Sequence, residues 1–310
     1  MPTPIMKLTG KKVAILLIII GLLLWCYLKV SWTRVQSNTE MISSWIEGSS
    51  NRPFRTILES SKINIISPLS VTPNISFKIG HVDTPFGLRM LYTSVDGGVL
   101  QGGTTWEEPI RKRMVSEMKF DSELNLIDVG CNHGIYSITA ASIGRYSICI
   151  EGDEVNTKLL AMTMKDNKYE KQVIILHNLI NSRRDLLPNE AQPCDDVTIV
   201  FGWKVKIVDS PLDITLDHLL ELILAKKWIM KIDIESYECV AIQSASRLFQ
   251  HLTIPVVLME WYHTARQPKN AAFVYNFFKS RGYLPFDYSS ETLLIENYTI
   301  WPSDIYWKKF

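Results

Sequence analysis

The chain has 310 residues, of which 46% are hydrophobic and 21% are charged. Its 33 basic and 32 acidic side chains give a formal net charge of +1. This length allows one sizeable domain with extensions. The near-neutral charge, without basic clusters in the body of the chain, argues against nucleic acid as a partner, because phosphate backbones are bound by clustered lysine and arginine.

The amino terminus carries an uninterrupted apolar run over residues 13–28. As a helix rising about 1.5 Å per residue, this run spans roughly 24 Å, close to the apolar core of about 27 Å in the endoplasmic reticulum membrane. A cleaved signal peptide is disfavoured because no small-residue cleavage site follows. A buried helix is disfavoured because the run has no amphipathic stripe. We predict a transmembrane signal anchor over residues 13–30.

Charges on the two sides of this run predict its orientation. Three lysines lie in residues 1–12, whereas Lys29 and Arg34 follow the run. The positive-inside rule then makes residues 1–12 a cytoplasmic tail and places the body of the chain in the lumen. N-glycosylation triplets that begin at Asn74 and Asn297 fit this topology. We expect a single-pass type II membrane protein of the Golgi or the endoplasmic reticulum.

Two segments separate the anchor from the main domain. Residues 31–67 are polar and mixed, which favours a stem. Residues 68–120 contain strand patterns at 75–79 and 88–92, glycine-rich turns, and a helical pattern at 107–118. We predict that residues 68–120 form a cap over the cleft of the domain that follows.

Residues 126–134, Leu-Ile-Asp-Val-Gly-Cys-Asn-His-Gly, join a predicted buried strand to a predicted helix at residues 135–143. Ligands of open α/β sheets bind outside the carboxyl ends of the strands, where strand order reverses. Glycines let the backbone make close approaches at such a turn. The G-x-G-x-x-G and G-x-x-x-x-G-K-[ST] fingerprints are both missing from the sequence. The turn therefore predicts a nucleotide-like cofactor of another kind.

Strand and helix patterns alternate through the rest of the chain. Further buried strands are predicted at residues 146–151, 172–176, 228–235 and 255–261. Helices are predicted between them at residues 156–166, 216–225 and 239–249. The chain then closes with a helix at 270–280 and two strands at 283–288 and 292–296. Such alternation is typical of a parallel, doubly wound sheet. We predict an α/β domain over residues 121–310, with a mostly parallel, Rossmann-like sheet.

Several blocks between residues 124 and 261 recur together in one family. They are the glycine turn, Ile150-Glu151, Thr-Leu-Asp-His-Leu at 215–219, Lys-Ile-Asp-Ile-Glu at 231–235 with Glu238, and Leu-Met-Glu at 258–260. In these blocks the chain resembles the FkbM-type S-adenosylmethionine-dependent methyltransferases, which have the class I methyltransferase fold. The resemblance implies an O-methyltransferase, often of sugar or polyketide hydroxyls. It implies cofactor contacts from Asp128, Gly130, Asn132, Gly134, Glu151 and Asn178.

The chain departs from the family pattern at two positions. The family usually has proline after the acid of the second strand, where Gly152 stands here. It usually has glycine after Lys-Ile-Asp-Val-Glu, where Ser236 stands after Lys-Ile-Asp-Ile-Glu. A serine at that position can cap the helix that follows.

Candidate catalytic residues follow the fourth and fifth strands. Methyl transfer requires alignment of oxygen, carbon and sulfur, and a weakly nucleophilic hydroxyl needs a general base or a cation. We predict Asp233, Glu235 and Glu260 as catalytic. Lys231, Asp233 and Glu235 alternate, which places them on one face of an extended strand. An ion pair of Lys231 with Asp233 or Glu235 that merely shapes the site is the alternative.

Other polar residues leave further alternatives open. Asp233 and Glu260 could share a divalent cation through oxygen ligands, and His263 could act as the base. His133 is expected to be an exposed residue of the turn. We predict no protein metal site from the sequence pattern, because there is no C-x-x-C pair or histidine-rich cluster.

Four cysteines lie in the body of the chain, at positions 131, 149, 194 and 239. In an oxidising lumen they could form up to two disulfides. For Cys131 and Cys149 we favour packing in the core, because small apolar residues also suit a buried strand and a tight turn.

The leading hypothesis is a membrane-anchored, luminal O-methyltransferase that acts on a glycan or another hydroxyl-bearing acceptor. One alternative is a scaffold that keeps the methyltransferase fold without activity. Another is methylation of a protein or a lipid, because a fold does not fix its acceptor.

Overall fold

Twelve strands and seven α-helices organise the part of the chain that the computed structural model describes, which is residues 54, 62–68, 75–95, 105–181, 194, 212–294 and 297–310. The strands are β1 (Ile65–Ile66), β2 (Phe77–Thr84), β3 (Gly87–Ser94), β4 (Asn125–Val129), β5 (Ser147–Glu151), β6 (Val173–His177), β7 (Leu179–Ile180), β8 (Asp213–Ile214), β9 (Trp228–Ile232), β10 (Val256–Glu260), β11 (Tyr283–Asp287) and β12 (Asp304–Lys309). The helices are α1 (Glu108–Phe120), α2 (Ile135–Ser142), α3 (Glu154–Asp166), α4 (Glu238–Gln243), α5 (Ser246–His251), α6 (Tyr262–Ala265) and α7 (Pro268–Lys279), with 3₁₀ turns at Leu216–Glu221 and Tyr298–Ile300.

The central sheet has eight strands in the order β1-β6-β5-β4-β9-β10-β12-β11. Strands β6, β5, β4, β9 and β10 are mutually parallel, and β1 and β12 pair antiparallel with their neighbours. In chain order, the parallel strands follow the doubly wound arrangement 3-2-1-4-5. The predicted Rossmann-like, mostly parallel sheet is therefore present. Strand order reverses between β4 and β9.

The parallel strands form because they are continuous apolar runs that helices cover on both faces. Every residue of β4 and of β9 is buried. One apolar cluster joins the β2–β3 hairpin, α2 and α3 to β5 and β6, and a second joins α1 and α2 to β4, β9, β10 and β12. Helix α2 packs into both clusters, which fixes the turn that precedes it against the sheet.

The β2–β3 hairpin packs on α3 through bonds between side chains and strand backbone. The Asn167 Oδ1 accepts the Met90 N–H at 3.0 Å, and the Asn167 Nδ2 donates to the Met90 carbonyl at 2.8 Å. The Thr163 hydroxyl accepts the Tyr92 N–H at 3.0 Å. The predicted cap segment thus includes a hairpin, and side chains of α3 and of the residue that follows it pair with backbone groups of the hairpin's edge strand.

The fourth parallel strand is shorter than predicted. Strand β9 ends at Ile232, and the backbone turns at Glu235 and Ser236, which have φ of 53° and 87°. The prediction that Lys231, Asp233 and Glu235 share one strand face is therefore wrong. The direction of the Glu235 side chain is therefore set by this turn and not by the alternation of a strand.

Several other predicted boundaries also differ. The predicted helix at 239–249 is two helices, α4 and α5, and 216–225 contains a 3₁₀ turn instead of an α-helix. Strand β12, which pairs with β10, was not predicted; of the strand predicted at 292–296, Leu293 forms an isolated bridge to Phe286 of β11, and residues 295–296 lie outside the described residues. Residues 65–66 pair with β6, so they belong to the sheet and not to the stem predicted at 31–67.

Cys194 and Cys239 form a disulfide, whereas Cys131 and Cys149 are free and buried, as their predicted packing requires. The disulfide ties residue 194 to the first turn of α4.

None of the described helices is long and apolar enough to cross a membrane. The predicted tail, anchor and most of the stem lie outside the described residues.

Candidate functional site

A cavity of about 720 Å³ opens at the carboxyl ends of β4, β5 and β9, at the point where strand order reverses. Seven carboxylates and one lysine are among the described residues that line it: Glu107, Glu151, Asp153, Asp213, Asp233, Glu235, Glu260 and Lys231. This is the position at which doubly wound sheets bind their ligands. A cleft lined by one sign of charge concentrates ligands of the opposite sign.

Gly130 allows the turn after β4 to pass close to the segment after β9. Its φ is 77°, and a Cβ there would lie 1.9 Å from the Asp233 carbonyl oxygen. Any side chain would therefore push the two segments apart. This contact closes the floor of the cavity between the first and fourth parallel strands.

Glu151 and Asn132 meet at the opening of this turn. The Glu151 Oε2 accepts the Asn132 N–H at 2.8 Å, and its Oε1 accepts the Asp153 N–H at 2.9 Å. Burial raises the pKa of Glu151 despite these bonds. A carboxylate oxygen has capacity for a further hydrogen bond, so Glu151 can accept the hydroxyls of a ribose in the cavity.

Two predicted cofactor residues do not line the cavity. Asp128 is fully buried, and its Oδ2 accepts the Ser137 hydroxyl at 2.9 Å. Burial raises the pKa of Asp128 to about 6. Gly134 faces the core, where a Cβ would lie 2.1 Å from the Leu160 Cδ1. Both residues hold the turn from its core side instead of facing a ligand.

Asn178 lines the cavity, but its side chain joins three chain segments. Its Nδ2 donates to the Lys62 carbonyl at 3.2 Å and to the Leu212 carbonyl at 2.9 Å. Its Oδ1 accepts the Asn64 N–H at 2.9 Å. These bonds use both N–H groups of the amide for structure, and its Oδ1 keeps one lone pair for a further hydrogen bond. Asn156 and Asn181 line the same part of the cavity and were not predicted.

Lys231 and Asp233 form an ion pair at the other end of the cavity. Their Nζ and Oδ2 atoms lie 3.1 Å apart, and the Lys231 side chain is buried. Burial alone would lower the pKa of Lys231, but the charges of Asp233, Asp128 and Glu107 outweigh it and raise that pKa. Lys231 therefore stays protonated and holds Asp233 in place; of the two ion pairs that the sequence allowed, the one with Asp233 is present.

Glu107 was not predicted as a site residue. It lies at the start of α1 with φ of 47°, and its Oε2 accepts the Tyr136 hydroxyl at 2.8 Å. Burial raises the pKa of Glu107. The sequence showed it as the first residue of a helical pattern, and nothing local signals that it lines a cavity formed by later strands.

Glu235, Glu260 and His263 come together beside Asp233. The His263 Nε2 lies 3.3 Å from the Glu235 Oε2 and 3.8 Å from the Glu260 Oε1. Burial, followed by the charges of neighbouring carboxylates, raises the pKa of Glu260 to about 9; these neighbours are Asp233, Glu238, Glu235 and Asp304. The three predicted catalytic carboxylates thus line one end of the cavity.

Two predictions about neighbouring residues need correction. His133 is buried instead of exposed, because the hairpin covers it and its Nε2 accepts the Ser94 N–H at 3.2 Å. Ser236 does not cap the next helix: its hydroxyl is buried without a partner among the described residues. The Glu238 Oε1 accepts the Ile234 N–H at 3.0 Å at this turn.

No protein-family model matches the chain, and no curated protein matches it in sequence. Among solved structures, a putative methyltransferase, yhhF, from Escherichia coli has 10% identity over 74% of this chain and 99% of its own, with a TM-score of 0.36. A SAM-dependent O-methyltransferase from Thermotoga maritima has 11% identity over 74% and 77%, with a TM-score of 0.34. The N-terminal domain of human METTL16, in complex with SAH, has 12% identity over 66% and 69%, with a TM-score of 0.34. Similarity this low does not assign an activity to the chain.

Proposed function

We propose that this chain is an S-adenosylmethionine-dependent O-methyltransferase of the FkbM type. The observation that carries the proposal is the cavity at the strand reversal, which Gly130, Asn132 and Glu151 line together with the Lys231–Asp233 pair. The sheet departs from the dinucleotide order 3-2-1-4-5-6, because β12 lies between β10 and β11. This departure and the sequence of the turn favour another nucleoside cofactor.

The charge of the cavity supports this cofactor. When bound, S-adenosylmethionine supplies a methyl group that is attached to a positively charged sulfur. The leaving group of the transfer is the neutral thioether. Glu151 would accept the ribose hydroxyls, and the backbone of the turn from Gly130 to Asn132 would hold the nucleoside. The surplus of carboxylates in the lining stabilises a cationic ligand.

The same charge favours a neutral acceptor over a phosphorylated one. Lys231 is paired with Asp233, so its charge is not available to an anion. Carboxylates at Glu107 and Glu235 would repel a phosphate group. A sugar hydroxyl meets no such repulsion, and its neighbouring hydroxyls can donate hydrogen bonds to these carboxylates. We therefore propose a glycan or a similar polyhydroxyl acceptor, and not a nucleic acid.

Asp233 is the proposed base. Lys231 fixes its Oδ2 at the cavity wall, which orients the carboxylate before the acceptor binds. Asp233 accepts the hydroxyl proton as the acceptor oxygen bonds to the methyl carbon, and the proton then passes to solvent. Glu260 and Glu235 complete the wall around the acceptor.

The proposed setting is the lumen of the Golgi or the endoplasmic reticulum, with the chain anchored by residues 13–30. The disulfide between Cys194 and Cys239 supports an oxidising compartment. Asn297, the first residue of a glycosylation triplet, is exposed.

Calorimetric titration and a transfer assay test the proposal. We expect the purified chain to bind S-adenosylmethionine, and Glu151→Ala to weaken that binding by about tenfold or more. Asp233→Asn should bind the cofactor like the parent and lose methyl transfer to glycan acceptors by about 100-fold or more. Folded parent protein that takes up no cofactor would instead favour the scaffold alternative.

A further inference from the structure

We propose that Glu235, Glu260 and His263 form a binding site for a divalent transition-metal cation at the acceptor end of the cavity. Each residue offers one ligand atom, and the three atoms lie within 4.8 Å of one another. This set differs from the pair of Asp233 and Glu260 that the sequence suggested. It replaces the expectation that the chain has no metal site.

The imidazole of His263 points into this cluster from a buried position. Its side chain is 7% exposed, and its Nε2 faces the Glu235 and Glu260 carboxylates. Its Nδ1 is buried without a hydrogen-bond partner among the described residues. Of these two nitrogens, Nε2 is the one beside the carboxylates, so it is the atom that would bind a cation.

Glu260 provides an independent indication of a missing ligand. Its Oε2 is buried and has no hydrogen-bond partner in the described part of the chain. The nearest lysine in the cavity, Lys231, is bonded to Asp233 instead. A cation between Glu260 and Glu235 would satisfy the orphaned oxygen and offset the negative charge of Glu235.

The fold fixes the spacing of these ligands through one buried side chain. The Glu238 Oε1 accepts the Ile234 N–H at 3.0 Å, and its Oε2 accepts the Thr264 hydroxyl at 3.3 Å. Glu238 therefore joins the residue before Glu235 to the residue after His263. Such support from residues behind the ligands is what orients them in metal sites.

The donor set selects among cations. Mg²⁺ and Ca²⁺ prefer oxygen ligands throughout, whereas an imidazole with two carboxylates suits Mn²⁺ or Zn²⁺. Three protein ligands leave coordination positions open, and Glu235 and Glu260 both line the cavity. If the proposed function holds, a hydroxyl of the acceptor can occupy an open position, where the cation would lower the pKa of that hydroxyl and help Asp233 to remove its proton.

Mn²⁺ binding to the metal-stripped chain tests the site, by the loss of the free-ion electron paramagnetic resonance signal. We expect one Mn²⁺ per chain, and we expect Glu235→Gln to weaken binding by about tenfold or more. The matched control is Glu154→Gln, because both glutamate side chains are 65% exposed and Glu154 lies on α3, paired with Lys158. The control should bind Mn²⁺ like the parent.

The outcomes separate this proposal from the proposed function. His263→Gln, whose folding is checked by its melting temperature and by cofactor binding, should also lose Mn²⁺ affinity. A parent chain that binds S-adenosylmethionine but no Mn²⁺, or a Glu235→Gln variant that binds Mn²⁺ as tightly as the parent, would overturn the metal site alone. Mn²⁺ binding without any cofactor binding would overturn the methyltransferase proposal alone.

Discussion

Ser236 has a backbone conformation that glycine adopts at lower cost. Its φ is 87°, and its hydroxyl is buried without a partner among the described residues. A left-handed conformation costs a non-glycine residue roughly 1–2 kcal/mol, and a glycine would remove this cost. Part of the benefit is lost because glycine gives up more backbone entropy on folding. We expect Ser236→Gly to raise the free energy of unfolding by about 1 kcal/mol, measured by urea denaturation.

A serine in ordinary helical geometry is the control for this substitution. Ser142 ends α2, and Ser142→Gly should destabilise the protein by about 0.5–1 kcal/mol because glycine is unfavourable in a helix. If Ser236→Gly destabilised the chain to the same extent, the turn after β9 would not be strained.

His133 is expected to make stability depend on pH. Burial lowers the pKa of His133 to about 4. In the unfolded chain an ordinary histidine binds a proton below about pH 6.5, so acid favours the unfolded state. The stability contribution of His133 is therefore complete above about pH 6.5 and is lost as the pH falls toward about 4.

The variant His133→Gln isolates this effect, since glutamine does not titrate and its side-chain oxygen can still accept the Ser94 N–H. Between about pH 7.5 and about pH 4.5, the parent should lose about 2 kcal/mol more of unfolding free energy than the variant. Parallel pH profiles for the two proteins would contradict the burial of a neutral His133.

The sequence predicted which residues stand near the site better than it predicted what their side chains contact. Glu151 lines the cavity because any acid at the end of the second strand lies beside the turn after the first. The partners of Asn178 come from residues 62–64 and 212, far away along the chain. Contacts of this kind depend on tertiary packing, so no local pattern could have assigned Asn178 a structural role.

At the scale of elements, the β2–β3 hairpin depends on α3 for the hydrogen bonds of its edge. Asn167→Ala removes a donor and an acceptor from the Met90 backbone. Leaving those groups unpaired costs about 1–3 kcal/mol. We expect faster amide exchange over residues 87–94, with unchanged exchange in β4 and β9, measured by hydrogen–deuterium exchange.

Asn276 on α7 provides the control, because it is exposed and lies on a different helix. Asn276→Ala should leave exchange in the hairpin as it is in the parent. Faster exchange throughout the sheet in Asn167→Ala would show that the hairpin and the sheet unfold together instead.

The elements that the sequence predicted well are those with strong local patterns. Continuous apolar runs predicted β4, β5, β6, β9 and β10 to within a few residues. Strand β12 was missed because its apolar run is only Ile-Tyr-Trp between charged residues, although its tyrosine and tryptophan are buried where it pairs with β10 and β11. Its identity as a strand comes from non-local pairing, which a single sequence does not display.

At the scale of the whole molecule, the disulfide and the exposed glycosylation triplet lead to the same expectation. A disulfide such as Cys194–Cys239 persists in oxidising compartments and is rare in the cytosol. Asn297 is exposed in a tight turn, so an enzyme that attaches glycans can reach it. We expect the full chain, produced in animal cells, to carry an N-linked glycan at Asn297 and an oxidised Cys194–Cys239 pair.

Digestion with an endoglycosidase, followed by mass spectrometry without reduction, measures both properties in one sample. The parent should lose mass on digestion, and Asn297→Gln should lose less because one acceptor site is gone. Asn276→Gln changes an asparagine outside any glycosylation triplet, so its mass loss should equal that of the parent. A chain with no glycan and with both cysteines reduced would contradict the proposed luminal location. The luminal glycan acceptor would then have to be abandoned, while methyl transfer at the β4–β9 cavity could still hold.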